Sequence, residues 1–291
     1  MPPAADQAPL IVLAIGGHGL SHPGETGYGA ERGRINQLKQ TLHAQAFKGV
    51  RLLVVHGNGP QVGRLLRDDG VVTDLDIHTA QTQGELGYLI ARAMPSPNVA
   101  IVTRVTVANE PGPPIKPIGA ILPFHPADQH CVQVAGGWRL LVPSPKPQEV
   151  VELDAIRRLL RSHHVVAAGG GGVPVSVAGE PLNAVIDKDW VAAQLAVALQ
   201  AELLVFATDV DYVYADFGTE QARALPELDS SACRTLIASG SLDAGSIGPK
   251  LASALEFVEA TAKRACICAV EDIIAAFEGK AGTQINALQQ G

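Results

Sequence analysis

The sequence predicts an α/β protein built around a doubly wound sheet that binds ligands at its strand ends. Three observations carry this. Short apolar runs alternate with amphipathic stretches along nearly the whole chain. Several of the runs end on glycine, where the chain must turn sharply. The composition is 47% hydrophobic but only 4% aromatic, so Ala, Val, Leu and Ile build the core, as suits buried parallel strands. The 291 residues show no internal repeat, low-complexity block or clear linker. One large α/β domain, or two lobes without a linker, fits that length.

In chain order, Leu10 to Ile15 is an apolar run ending in Gly16-Gly17, and reads as a buried strand. Residues 20–34 are polar and glycine-containing and read as a loop. Ile35 to Phe47 has helical spacing, with Leu38, Leu42 and Ala46 on one side. Val50 to Val55 is a second buried strand, ending in His56-Gly57-Asn58-Gly59-Pro60, where proline suits the first turn of a helix. Thr79 to Met94 reads as a helix and the β-branched run Val99 to Val107 as one strand. Residues 110–147 are dense in proline and read as an irregular excursion, with Cys131–Val134 and Trp138–Val142 pairing as a hairpin about Gly136-Gly137. Gln148 to Arg161 then reads as a helix, and Val165 to Ala168 as a strand entering Gly169 to Gly172. Helices follow at Asp189–Leu199 and Leu228–Ser239, then one opened by Gly245 to Lys250 and running through about Lys263, and one at Asp272–Phe277. The remaining strands are Leu203–Ala207, Cys266–Val270 and a terminal edge strand near Gly282–Ile285.

The charge balance, 22 basic against 29 acidic residues for a net −7, disfavours a nucleic-acid or anionic membrane surface. Any anionic substrate must be drawn in by a few local lysines. The four cysteines include no C-x-x-C pair, and Cys266 and Cys268 alternate into packing, so reduced thiols in the cytoplasm are expected. No Cys/His cluster has zinc spacing, so no metal ligands are assigned. Residues 1–9 lack the basic start and apolar core of a signal peptide, and no apolar run is long enough to span a bilayer.

Glycine turns at Gly16-Gly17, Gly57-Asn58-Gly59, Gly169 to Gly172 and Gly245 to Gly248 let backbone N–H groups approach an oxyanion, and taken together favour phosphate binding. They match neither the Walker P-loop nor the dinucleotide fingerprint. Phosphoryl transfer needs positioning and cations on the moving oxygens, which directs attention to Lys188 and Lys250. Asp189 is placed to hydrogen-bond both. Spacing alone leaves this group balanced between a catalytic cation pair and a helix cap with solvated lysines. His18 adjoins the first turn and would face the same cleft. Lys116, in the proline-rich excursion, reads on its own as a surface lysine.

The motifs taken in order resemble the carbamate kinases, within the wider amino-acid-kinase fold. The segments are His56 to Gly63 (HGNGPQVG), Lys116-Pro117-Ile118-Gly119, Trp138-Arg139 with Val142 to Pro145, Gly169 to Pro174, Ala184 to Asp189, Thr208-Asp209-Val210, and Gly245-Ser246 with Gly248-Pro249-Lys250. The resemblance runs from Leu10 to Ile285. It implies a three-layer αβα sandwich with a small protruding subdomain, usually in a homodimer. The implied reaction is phosphoryl transfer between ATP and carbamate, giving ADP and carbamoyl phosphate, with Mg²⁺ on the nucleotide. An acid-phosphate lobe at about 10–165, carrying the excursion, would face a nucleotide lobe at about 166–288. Lys188 and Lys250 match the charge-neutralising lysines and Asp189 the organising aspartate. Gly16, Gly17, His18, Gly57, Asn58, Gly59 and Lys116 would meet the acid and its phosphate. Gly169, Gly170, Asp209, Ser246 and Lys250 would lie toward the nucleotide. Three departures sit on the acid side: His18 in place of asparagine, Arg104 in place of glutamine, and a short lid between Gly119 and Gly137. They leave open a same-fold kinase for another small carboxylic or phosphonic acid, or a non-catalytic homologue.

Overall fold

Leu10–Ile15 is six apolar residues with no polar face, and it forms a strand buried on both sides at the heart of the sheet. The computed structural model describes residues 8–20, 28–69, 74–127, 129–240, 242 and 247–288. The strands are β1 (Leu10–Ile15), β2 (Arg51–His56), β3 (Asn98–Ala100), β4 (Arg104–Thr106), β5 (Pro114–Leu122), β6 (Cys131–Val134), β7 (Gly137–Pro143), β8 (Glu149–Val150), β9 (His164–Val166), β10 (Val173–Val175), β11 (Leu203–Thr208), β12 (Val213–Ala215), β13 (Arg223–Leu225), β14 (Glu227–Asp229), β15 (Arg264–Ala269) and β16 (Thr283–Asn286). The helices are α1 (Gly17–Leu20), α2 (Tyr28–Leu42), α3 (Gly59–Asp69), α4 (Leu75–Ala91), α5 (Leu153–Leu159), α6 (Lys188–Ala198), α7 (Ser230–Ala238), α8 (Ile247–Thr261) and α9 (Ile273–Phe277).

Eight strands form the central sheet in the order β14-β16-β15-β11-β1-β2-β9-β3. Its pairs are parallel except β15–β16. Alternate side chains of β1 enter opposite cores. Leu10, Val12 and Ala14 join Ile156 of α5, Val191 and Leu195 of α6, and Leu251 and Val258 of α8. Ile11, Leu13 and Ile15 join Leu38 and Leu42 of α2, Leu86 and Ile90 of α4, and Ile273 of α9. The result is the expected three-layer sandwich. Each fully buried aliphatic side chain contributes about 1.5–3 kcal/mol, so the two cores dominate stability. Cys266 and Cys268 both lie in the second core, as their alternation implies.

Several elements differ from the sequence reading. The polar stretch before Ile35 is already helical from Tyr28: a solvated helix face has the same composition as a loop. The run from Val99 to Val107 is two strands in different sheets. The side chain of Gln83 brackets Thr103, accepting its N–H (2.8 Å) and donating to its carbonyl (3.1 Å), so the chain leaves the main ladder there. β4 then pairs with β10 and β8, and the expected helix at Gln148 begins only at Leu153. Leu228 and Asp229, expected to open a helix, instead lie in β14 of the main sheet, and the helix begins at Ser230. β16 lies between β15 and β14, and so is not an edge strand. The β12–β13 hairpin was not anticipated. The proline-rich excursion is an ordered three-stranded sheet, β5-β7-β6, whose hairpin matches expectation. Its prolines Pro114 and Pro117 sit on the edge strand, where a missing N–H is tolerated. Among the described residues no helix is long and apolar enough to cross a membrane.

Gln83 is 3% exposed, so Gln83→Leu leaves the Thr103 N–H buried and unpaired, while the Thr103 carbonyl keeps the Val173 N–H at 2.8 Å. The expected loss is about 1–3 kcal/mol in urea denaturation, with an unchanged m-value. A loss below about 1 kcal/mol would mean that the break between β3 and β4 is held by something else.

Candidate active site

The register of the sheet levels three strand ends: Ile15 pairs with both His56 and Ala207. The turns that follow, Gly16-Gly17, Gly57 to Gly59 and Thr208-Asp209, therefore open along one edge. They line a cavity of about 690 Å³. The N-terminus of α6 and Lys250 of α8 close one side, while Lys116 to Gly119 of β5 and Arg139 of β7 close another. Two glycines are required by close approach. A Cβ on Gly57 would lie 2.6 Å from the Gly17 nitrogen, and one on Gly170, whose φ is +65°, would lie 2.1 Å from Asn58 Nδ2. Three glycine turns from distant parts of the chain are thus packed together, the first two backbone to backbone and the third against the Asn58 side chain.

Helix α6 begins on Asp187, whose Oδ1 accepts the Asp189 N–H at 2.9 Å. This cap points Asp189 inward, where it is 4% exposed. Asp189 Oδ1 accepts a short hydrogen bond from Lys188 Nζ, and Oδ2 lies 3.4 Å from Lys250 Nζ. One buried carboxylate therefore holds two ammonium groups. Burial, helped by the charge of Lys188, pulls the Lys250 pKa below its usual value, and Asp189 opposes the shift. Asp187 Oδ2 in turn accepts Lys116 Nζ at 2.9 Å. Burial pushes the Asp187 carboxyl up, but Lys116 and Lys188 outweigh it and hold the pKa down at about 2. Three lysines and Arg139 face three aspartates, Asp187, Asp189 and Asp209, around the cavity, which leaves one excess positive charge. The Arg139 Nη2 donates to the Pro117 carbonyl at 3.3 Å, and its buried Nε finds no hydrogen-bond partner among the described residues.

Most residues singled out in the sequence meet here. Lys188, Asp189 and Lys250 form the bridged trio, and Gly16, Gly17, Gly57, Asn58, Gly59, Lys116, Gly170 and Asp209 line the same cavity. Lys116 is no free surface lysine. Gly169 sits one step back, under the His56 ring, where a Cβ would lie 2.3 Å from Nε2. Arg104 does not reach the acid side. Its side chain is half exposed and bonds Glu152 at 2.8 Å, because β4 has left the main sheet. Ser246 and the side chain of His18 lie outside the described residues.

Sequence reasoning gave no role to Asp187, Arg139 or His56. Asp187 had a signal, the N-cap spacing to Asp189. Arg139 had only its place in the Trp138-Arg139 segment, since its contact with the Pro117 carbonyl depends on β5 pairing with β7. A smaller adjoining cavity of about 140 Å³ shares Asp209 and is lined by Tyr212, Tyr214, Phe217 and Leu242, an apolar slot that suits a flat ring. Among the described residues no cluster of three or more His, Cys, Asp or Glu could hold a metal ion by itself.

His56 is 1% exposed, and its Nδ1 lies 3.1 Å from the Gly57 carbonyl, to which the neutral ring donates. Burial, with a smaller push from Lys188, lowers its pKa from 6.5 to about 4. Between these values the unfolded chain takes a proton that the native state refuses, so stability falls as pH drops from about 6.5 to about 4. The contribution is at most about 1.4 kcal/mol per pH unit. In His56→Asn, denaturation free energies measured across this window should fall less steeply than in the wild type. Equal slopes would contradict a neutral buried His56.

Residues 9–269 match the family model described as the amino acid kinase family. A carbamate kinase of Halobacterium salinarum is 35% identical over 94% of this chain and 97% of its own length. A carbamate kinase of Escherichia coli K12 is 34% identical over 95% of this chain and 99% of its own. The structure of Giardia lamblia carbamate kinase bound to AMP-PNP superposes with a TM-score of 0.87 at 29% identity, covering 97% of this chain and all of that one. Sequence and fold thus agree over nearly the full length, and the chain belongs to the carbamate kinases of the amino acid kinase family.

Proposed function

We propose that this enzyme transfers a phosphoryl group directly between ATP and carbamate, with Lys188 and Lys250 on the moving group. The observation that carries the residue assignment is the single buried carboxylate of Asp189 holding both ammonium groups. Transferring phosphoryl oxygens spread charge through a loose transition state, and fixed cations in a dry site stabilise it without reorganisation. Both Asp189 oxygens are committed to the lysines, so the aspartate aims cations and does not attack phosphorus. The neutral His56 is spent on the Gly57 carbonyl. These engagements support a single in-line displacement.

The acid lies on the Gly16-Gly17 and Gly57 to Gly59 side, under Lys116 and Arg139. The nucleotide phosphates run past Gly170 to Asp209, with the base in the slot of Tyr212, Tyr214 and Phe217. The two halves correspond to residues of about 10–165 and 166–288. Mg²⁺ would come with the nucleotide, and among the described residues Asp209 is a carboxylate that could hold it, since Mg²⁺ keeps waters and phosphates as its other ligands. Its chemistry there is to neutralise phosphate charge. Four free cysteines, three of them buried, suit the cytoplasm, and a homodimer is part of the same reading.

The test is ATP formation from ADP and carbamoyl phosphate. Lys188→Ala and Lys250→Met should each cut kcat by about 10²–10³-fold while circular dichroism stays native. Turnover within about threefold of wild type in either variant would remove that lysine from the mechanism.

A further inference from the structure

The acid half of the cavity is roofed by β5, and β5 meets α3 of the main body in a close backbone crossing. At Gly119, where φ is +72°, the β5–β7 ladder shifts register, and the strand bulges onto Gly63 of α3. A Cβ built on Gly63 would lie 2.0 Å from Gly119 Cα and 2.9 Å from its nitrogen. Both neighbours are backbone, so nothing can swing aside. A Cβ on Gly119 would lie 3.3 Å from Gly63 Cα, on a backbone conformation that L side chains rarely adopt. Carbon atoms in contact sit about 3.5–4.0 Å apart, so one methyl at Gly63 forces the roof up by more than about 1 Å.

That displacement bears directly on charge. Lys116 lies three residues before Gly119 on the same strand and crosses the cavity to Asp187 at 2.9 Å. Ile118, between them, is packed with Val62, Leu66, Val142 and Val185, so β5 is held down immediately before the crossing. The glycine pair sets how low the clamp can sit.

We propose that Gly63 and Gly119 are positioning residues that set the height of the acid pocket. They act through Lys116 and restrict the site to small acids. The inference rests on the acid half assigned above. With a larger residue at either position, Lys116 no longer reaches the level of Asp187 and Lys188, and the pocket admits a bulkier acyl phosphate.

The test is a double-mutant cycle on kcat/KM for carbamoyl phosphate, with ADP varied separately. Gly63→Ala should lower kcat/KM for carbamoyl phosphate by about 10–100-fold, the usual cost of an ångström-scale misplacement, with the KM for ADP within about twofold of wild type. In a Lys116→Ala background the same substitution should cost less than about threefold, because the group it displaces is gone. The ratio of propionyl phosphate to carbamoyl phosphate turnover should rise in Gly63→Ala. Gly84→Ala on α4, where a Cβ meets open space, is the control and should change nothing beyond about twofold. Gly119→Ala pushes more gently and should shift the same quantities by less; it carries the cycle if Gly63→Ala does not fold. Equal losses with and without Lys116, or a parallel rise in the KM for ADP, would overturn the proposal. A wild-type enzyme inactive on carbamoyl phosphate would instead overturn the functional reading beneath it.

Discussion

One buried carboxylate between two buried ammonium groups is the constraint on which the site depends. Taking three charges out of water costs several kcal/mol per ion, and the trio is not even neutral. Lys250 records that cost in its lowered pKa. A core built for stability alone would hold apolar residues here. The arrangement makes sense as a place kept ready for the oxygens of a phosphoryl group, which would complete the charge balance. The same reasoning extends outward: Asp187 holds Lys116 while its backbone neighbour is capped, so one helix start organises the floor and the roof of the cavity.

The fold makes that arrangement possible by bringing distant segments to one level. Parallel pairing of β1 with β2 and β11 puts their turns side by side, and glycine lets those turns pack backbone to backbone. His56 shows how tightly the space is used. Its ring fills the volume under Gly169 and holds the Gly57 carbonyl, and it does so only as the neutral form. Positive charge around the cavity is therefore carried by lysines and Arg139, while His56, the histidine among the described residues at the strand ends, is kept uncharged.

Much of this was legible in the sequence because it was local. Leu10–Ile15, Val50–Val55 and Leu203–Ala207 announce buried strands by composition, and the glycines after two of them mark the turns. Lys188 and Asp189 stand next to each other. What stayed hidden depended on long-range contact. Nothing local distinguishes Lys116 from a surface lysine until β5 folds over α6. Arg104 looked close to the acid site because Val99–Val107 reads as one strand; the bracket from Gln83 that breaks it comes from another helix. Prolines in β5 suggested irregularity, yet on an edge strand they cost little. Composition also hid the start of α2, whose polar face resembles a loop.

The central claim is that Asp189 exists to hold Lys188 and Lys250 in place and charged. Its most direct test is the pH dependence of kcat for ATP formation in Asp189→Asn, an isosteric change that removes only the negative charge. The account predicts a fall in kcat of about two orders of magnitude. It also predicts that the alkaline limb moves to lower pH, because the carboxylate that raises the Lys250 pKa has gone. A variant with wild-type kcat and an unmoved alkaline limb would contradict it.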